Sequence, residues 1–155
     1  QDILVQAAQH KGCSVVEALV NCVIFNNGAH QSFADKDIRK EKTIFLKQGE
    51  PMIFGQYEDK GLILEGFQLK AVKLGEHGIT EKDILVHDAT MMDPTLHYKL
   101  GTMGGDLPVA LGVIRDVPAP VYDEAVQQQV NEVCQKHPIA NLEALFHEQD
   151  TWEIC

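Results

Sequence analysis

The chain has 155 residues, enough for one domain or for the end of one domain with an appendage. Its 13 basic and 23 acidic residues give a net charge of −10, which argues against nucleic acid or an anionic membrane surface as the partner. No stretch approaches the roughly 20 apolar residues needed to span a bilayer, and the first residues do not have the layout of a signal peptide. These features predict a cytoplasmic protein with reduced thiols.

The first segment predicts half of a βαβ unit. Apolar residues from Ile3 to Ala8 recur at helical spacing, and Gly12 follows as a helix stop. The mostly apolar run Ser14–Val20 then predicts a parallel strand that is buried on both faces. The chain opens on Gln1, without a Met and with a helix already under way, so we expect it to begin inside a larger protein.

The next segment contains the one position where the residues alone indicate a site. A turn is predicted at Asn26-Asn27-Gly28. Cys22 would therefore lie at the C-terminal end of a parallel strand, where open α/β sheets bind ligands and cofactors. The alternative at this point is an inert core thiol.

Residues 33–42 are rich in charge, which predicts a solvated helix or loop. Four short β-type runs follow and predict an antiparallel meander: Thr43–Leu46, Pro51–Phe54, Gly61–Leu64 and Gln68–Leu74. Thr80 with Asp83 predicts a capped helical turn. Residues 84–88 are expected to continue as a strand.

The last third alternates helix and strand signals. A helix is predicted over 93–103, with Asp93 as its N-cap and Pro94 in its first position. A strand is predicted over 107–114, and helices over 121–137 and 141–148, the last capped by Asn141. Trp152 is expected to anchor the tail on the core.

The remaining chemically active side chains favour structural roles. None of the four cysteines forms a CxxC pair, which excludes the usual zinc-site spacings. We expect Cys13 and Cys134 to be small packed side chains. For His87, Asp88 and His97, surface or helix-cap roles are expected.

The stretch from His10 to Asn26 begins His-Lys-Gly-Cys-Ser and ends Asn-Cys-Val-Ile-Phe-Asn. It resembles the β subunits of 2-oxoacid:ferredoxin oxidoreductases, whose pattern is His-Lys-Gly-Phe-Ser, an apolar strand, then Ser-Pro-Cys and an Asn. Two positions depart from that pattern, with Cys13 in place of Phe and Asn21 in place of Pro. Further resemblance to the same family covers 85–88, 108–115, 119–125 and 149–153. The sequence is most similar to the 2-oxoglutarate type.

The resemblance implies a fold and a reaction. The fold is α/β: residues 1–32 form the tail end of a thiamine-diphosphate-binding parallel α/β domain, and residues 33–155 form a C-terminal extension. That extension, a mixed β-meander plus helices, serves subunit assembly. The reaction is the oxidative decarboxylation of a 2-oxoacid such as 2-oxoglutarate to an acyl-CoA, with electron transfer to ferredoxin.

The resemblance also implies a site. Cys22 matches the fourth cysteine ligand of a 4Fe-4S cluster, and Asn26 matches the Asn that follows that cysteine. Asn26 would either help to shape the cofactor crevice or serve as a plain turn residue. The other three cysteines, and the Gly-Asp-Gly-type segment that binds Mg²⁺ and thiamine diphosphate, have no counterpart in this sequence. We therefore expect the fragment to be inactive alone and to bind none of these cofactors.

In the intact enzyme the implied partners are the α subunit, ferredoxin, the 2-oxoacid and coenzyme A. The isolated fragment is expected to form homodimers through uncovered apolar surface. The alternative functions are an autonomous assembly domain without chemistry and, less favoured, a thiol redox sensor.

Overall fold

The computed structural model describes residues 2–138 and 141–147. Trp152, residues 149–153 and Cys155 lie outside these ranges, so the predicted anchoring of the tail stays a prediction. The structure is mixed α/β, with one parallel strand pair and one three-stranded antiparallel sheet among the described residues. The helices and strands, in chain order, are α1 (Asp2–Gln9), α2 (Gln31–Ala34), α3 (Arg39–Lys42), β1 (Thr43–Leu46), β2 (Ile53–Phe54), β3 (Lys60–Glu65), β4 (Gln68–Lys73), α4 (Thr95–Gly101), β5 (Val109–Gly112), α5 (Tyr122–Lys136) and α6 (Leu142–His147).

The chain divides into two compact units. The first contains the residues up to 10 together with 14–117, and the second contains 11–13 and the residues from 118 onwards. Both sheets belong to the first unit, and α5 and α6 belong to the second. No helix in the described ranges is long and apolar enough to cross a bilayer.

The predicted first helix is present as α1, and Gly12 follows it with a φ of +134°. The predicted strand over Ser14–Val20 is wrong. These residues have no strand partner among those described, and the Val15 side chain is 90% exposed. Apolar side chains favour a buried strand only where neighbouring strands accept its backbone hydrogen bonds. The described part of the chain supplies no such neighbour here.

The predicted meander is confirmed for three of its four strands. β2, β3 and β4 pair in order and antiparallel, with Glu65 opposite Gln68 at the hairpin end. Gly66 and Phe67 make the two-residue turn, and Gly66 takes the positive φ of +60° that such tight turns require.

β1 was predicted as a strand of the meander, and that assignment is wrong. It pairs in parallel with β5, with Thr43 opposite Val109 and Leu46 opposite Gly112. A parallel pair needs a long crossover, and residues 47–108, which include the meander and α4, provide one. Gly112 is required at the end of the pair, because its φ is +100° and a Cβ there would lie 2.8 Å from the Leu46 carbonyl oxygen.

The core of the first unit lies between the parallel pair, the meander and α4. Leu62 on β3 is fully buried, and Gly61 beside it leaves room for Ile84, whose Cδ1 would be 2.4 Å from a Cβ at that position. The buried apolar cluster is made by Ile44, Leu46, Met52, Phe54, Leu62, Ile84 and Leu100. Burial of this cluster is the main stabilising contribution visible in the unit.

The predicted caps are largely confirmed. Asp83 Oδ2 accepts hydrogen bonds from the Thr80 backbone N–H and hydroxyl, both at 2.8 Å, and starts a 3₁₀ turn over Glu81–Asp83. The prediction for α4 is wrong by one residue, because Pro94 is the N-cap and Thr95 is the first helical residue. Asp93 lies just before the cap, and its Oδ1 accepts the Thr95 N–H at 2.8 Å. Asn141 caps α6 through the Ala144 N–H. Residues 84–88 form only an isolated bridge, between Val86 and Pro51.

Candidate functional site

Cys22 begins a tight turn that closes on Asn26. The Asn26 N–H donates to the Cys22 carbonyl oxygen at 3.0 Å, and the two residues form an isolated antiparallel bridge. The structure thus brings together Cys22 and Asn26, the two residues that were predicted from the sequence as site residues. The expected position of Cys22 at the end of a strand is wrong, since no strand precedes it. Its thiol is exposed rather than packed in a core.

Backbone amides surround the Cys22 sulfur. The Phe25 N–H donates to Cys22 Sγ at 3.5 Å. The amides of Phe25, Ile24 and Asn26 lower the pKa of the Cys22 thiol, the Phe25 amide most of all, while a smaller opposing effect comes from partial desolvation. N–H dipoles that point at a sulfur favour its negative form. The turn therefore presents Cys22 as an accessible sulfur that is biased toward thiolate, as a metal ligand needs to be.

Asn21, which the sequence comparison marked only as a departure, makes two hydrogen bonds across this loop. Its Oδ1 accepts the Gly28 N–H at 2.8 Å, and its Nδ2 donates to Asn27 Oδ1 at 3.1 Å. Gly28 has a φ of +80°, a conformation that side chains disfavour. Reasoning from sequence predicted the turn but missed this bridge. The repeated Asn residues on both sides of Cys22 were the available signal.

The other described cysteines are not packed as predicted. Cys13 and Cys134 are both exposed free thiols, so the expected packed roles are wrong. Cys134 lies on α5, where no described residue is buried, so the helix offers it no apolar surroundings. Exposure leaves both thiols as useful references for chemistry at Cys22.

The described donor side chains do not form a complete metal site. Within residues 2–138 and 141–147, no group of three or more His, Cys, Asp or Glu side chains is placed to hold a metal ion. A 4Fe-4S cluster takes four thiolates. The Cys22 thiolate is of the right chemical type to supply one of these four ligands. The other three ligands would have to come from elsewhere.

A second polar cluster lies at the C-terminal end of β5. His87 and His97 are 1% and 4% exposed, so the expected surface or cap roles are wrong for both. His87 Nε2 contacts the Val113 carbonyl oxygen at 2.9 Å, while His87 Nδ1 is buried without a partner among the described residues. Their rings approach edge to face, with centroids 6.4 Å apart.

Arg115 and Asp88 complete this cluster. Arg115 donates to His97 Nδ1 at 2.8 Å and to the carbonyl oxygens of Met91 and Met92. His97 Nδ1 is therefore an acceptor, and its Nε2 carries the hydrogen that it donates to the Asp88 carbonyl oxygen at 2.8 Å. The network fixes the loop between residues 88 and 93 and contains no nucleophile.

Hydrogen bonds also hold the Asp88 carboxylate. Asp88 Oδ1 accepts from the Thr90 hydroxyl at 2.6 Å and from Gln48 Nε2 at 2.8 Å. These bonds, with a third from the Thr90 N–H, lower the pKa of Asp88 from its ordinary value of 3.8 to about 2. The carboxylate thus remains ionised down to strongly acidic pH and serves as a fixed acceptor in the loop.

No protein-family model matches the chain, and no solved structure matches it significantly. Among curated proteins, it is similar to the 2-oxoglutarate oxidoreductase subunit KorB of Mycobacterium tuberculosis, with 34% identity over 157 aligned residues. The match takes in 99% of this chain but only 41% of that subunit, so the chain spans about two fifths of its relative's length. The resemblance found in the motifs is thereby confirmed: the chain is homologous, along essentially its whole length, to part of a 2-oxoglutarate oxidoreductase subunit.

Proposed function

We propose that this chain is the C-terminal part of the β subunit of a 2-oxoacid:ferredoxin oxidoreductase. The observation that carries the proposal is the homology to a 2-oxoglutarate oxidoreductase subunit along 99% of the chain. In this proposal residues 1–32 belong to the edge of the cofactor-binding domain, and residues 33–155 are the extension through which subunits assemble. A 2-oxoacid such as 2-oxoglutarate is the substrate, with coenzyme A and ferredoxin as the other reactants.

Cys22 is the residue with a chemical role in this proposal. Its exposed sulfur and the Phe25 N–H that points at it support a role as one ligand of a 4Fe-4S cluster. The cluster, when bound, carries single electrons toward ferredoxin. Asn26, bridged to Cys22 through the backbone, would line the cofactor crevice beside this ligand.

Thiamine diphosphate with Mg²⁺ supplies the carbanion chemistry when it is bound in the intact enzyme. The Gly-Asp-Gly-type segment that binds Mg²⁺ and the diphosphate in this family has no counterpart in the sequence. Diphosphate binding is therefore proposed for parts of the enzyme other than this chain, and no residue of this chain is proposed as catalytic.

Exposed apolar side chains within residues 1–32 support contact with another protein surface, in addition to the assembly role proposed for residues 33–155. The side chains of Val15, Val20, Val23, Ile24 and Phe25 are between 72% and 90% exposed. Several apolar side chains this exposed within one short segment are of the kind that another protein surface covers. The same observation supports the second candidate function, an assembly domain without chemistry, and it underlies the expectation that the isolated chain forms homodimers.

The two candidate functions, oxidoreductase subunit and assembly domain without chemistry, can be distinguished by measuring enzymatic turnover. The gene that encodes this chain is expressed with its neighbouring subunit genes, and 2-oxoglutarate-dependent, coenzyme A-dependent reduction of ferredoxin is measured on the purified complex. Turnover that disappears when the region encoding residues 1–155 is deleted, in a complex that otherwise assembles, supports the oxidoreductase. Purification of the chain in a complex without iron and without such turnover supports the assembly domain.

A second measurement tests the inactivity of the chain alone. Titration calorimetry of the 155-residue chain with thiamine diphosphate and Mg²⁺ is expected to give no binding heat. Micromolar affinity would contradict the assignment of the diphosphate site to other parts of the enzyme.

A further inference from the structure

The turn that carries Cys22 is held almost entirely by hydrogen bonds. Val23, Ile24 and Phe25 are 73%, 80% and 90% exposed, so their side chains contribute no packing that could fix the backbone between Cys22 and Asn26. Within the turn, the backbone bond from the Asn26 N–H to the Cys22 carbonyl oxygen closes the ring. An unpacked surface turn of this kind exchanges readily between conformations unless something joins its two ends.

Asn21 joins those ends. It stands immediately before Cys22, and its amide reaches the residues that follow Asn26, where it accepts the Gly28 N–H and donates to Asn27 Oδ1. The loop from Cys22 to Asn27 is thus enclosed by one side chain with two bonds of 2.8 and 3.1 Å. The Asn21 amide makes both contacts at once because it carries both an acceptor and donors. In this geometry neither a hydroxyl nor a carboxylate could make both hydrogen bonds.

We propose that Asn21 is a positioning residue: its two hydrogen bonds hold the Cys22–Asn26 turn so that the Phe25 N–H stays directed at Cys22 Sγ. The inference rests on the proposed function, in which that sulfur is a cluster ligand. Asn21 does not touch the sulfur and acts only through the backbone of the turn. In this way the side chain sets both the direction from which Cys22 reaches the cluster and the number of amide dipoles around the ligand.

The positioning has an electrostatic consequence. Hydrogen bonds to cluster sulfurs are among the factors that set the reduction potential of an iron–sulfur cluster. The reduced cluster is the more negative form, so an N–H dipole that points at a ligand stabilises it relative to the oxidised form. Releasing the Phe25 N–H from Cys22 is therefore expected to lower the reduction potential of the cluster.

The test uses three variants. Asn21→Ala removes both bonds, and Asn27→Ala removes only the bond between the two side chains. Asn131→Ala on α5 is the matched control, because Asn131 is an exposed Asn whose Oδ1 accepts a side-chain bond from Gln127. In the 155-residue chain, amide exchange at Phe25 is followed by NMR. In the assembled enzyme, iron content and reduction potential are measured.

In Asn21→Ala the Phe25 amide hydrogen should exchange on the order of tenfold faster. The reason is that the turn loses the local stability contributed by about one to two hydrogen bonds. Asn27→Ala should give a smaller acceleration, and Asn131→Ala none. The assembled Asn21→Ala enzyme should keep its iron and show a lower reduction potential than Asn131→Ala. If Asn21→Ala does not fold, the same comparison between Asn27→Ala and Asn131→Ala decides.

Unchanged Phe25 exchange together with an unchanged potential would overturn the positioning role. This outcome can be told apart from failure of the proposed function, because the ligand role of Cys22 is tested by a different variant, Cys22→Ser. Full iron retention in Cys22→Ser would reject Cys22 as a ligand whatever the Asn21 variants do. Iron loss in Cys22→Ser with no effect of Asn21→Ala would reject only the positioning role.

Discussion

At the scale of single residues, the buried polar side chains of the described residues, His87 and His97, are not part of the Cys22 turn. His97, Asp88 and Arg115 form a hydrogen-bonded group that orders the loop after residue 88, and the His87 ring packs edge to face against His97. Buried polar groups are costly unless they are paired, so each lost partner in such a group leaves another group unsatisfied. Two predictions follow from this network.

The first prediction concerns how the stability of the chain changes at acidic pH through Asp88. Its pKa is lowered to about 2 in the folded chain from an ordinary value of 3.8, which applies to the unfolded chain. A depressed folded-state pKa contributes stability that is present above the unfolded value and is lost as pH falls through about 2. Urea unfolding between pH 5 and pH 2 should therefore show a shallower loss of stability in Asp88→Asn than in the unmodified chain. Asp106→Asn, at an exposed turn, is the control; equal pH slopes in all three proteins would contradict the prediction.

The second concerns Arg115. Lysine at this position keeps the charge but cannot reach His97 Nδ1 and the carbonyl oxygens of Met91 and Met92 together, because it lacks the planar fork of arginine. Arg115→Lys should lower the free energy of unfolding by about 1–3 kcal/mol, since a buried acceptor is left unpaired. Arg39→Lys on the exposed α3 should change it little. A loss no larger than that of Arg39→Lys would count against the network.

At the scale of elements, the parallel pair depends on one glycine. Gly112 combines a φ of +100° with a Cβ position 2.8 Å from the Leu46 carbonyl oxygen. Gly112→Ala should therefore destabilise the chain by about 1–3 kcal/mol, because the strained backbone and the close contact add. Gly101→Ala, in α4 with open space around it, should be neutral or stabilising by less than about 1 kcal/mol. Equal melting temperatures for the two variants would contradict this reading of β5.

The elements also show which parts of a fold can be predicted from sequence. The pairing of β2, β3 and β4 is between neighbours in the chain, and turn residues such as Gly66 mark it locally. The pairing of β1 with β5 joins residues more than 60 positions apart, and nothing in the alternation of Thr43–Leu46 indicates its partner. Ser14–Val20 fails for the same reason, because its apolar pattern does not specify a neighbouring strand.

At the scale of the whole molecule, the site was only partly predictable. The family motif identified Cys22 and Asn26, and the structure brings both into one turn. It did not indicate that the Phe25 amide faces the sulfur or that Asn21 bridges the loop, since both depend on backbone directions over a few residues. The burial of His87 and His97 was missed because their partners, Val113 and Arg115, come from the residues that follow β5.

In the proposed oxidoreductase, Cys22 is one ligand of a cluster whose other ligands come from outside this chain. The exposed apolar residues around it agree with a surface that another part of the enzyme covers. Cys13 and Cys134 share its exposure and have no assigned ligand role, so they are matched controls.

The most direct measurement is the iron content of the purified oxidoreductase complex, with its electron paramagnetic resonance spectrum, for Cys22→Ser beside Cys13→Ser and Cys134→Ser. The account predicts that Cys22→Ser loses iron and the signal of the reduced cluster, while both control variants keep them. Full iron and an unchanged cluster signal in Cys22→Ser would contradict it.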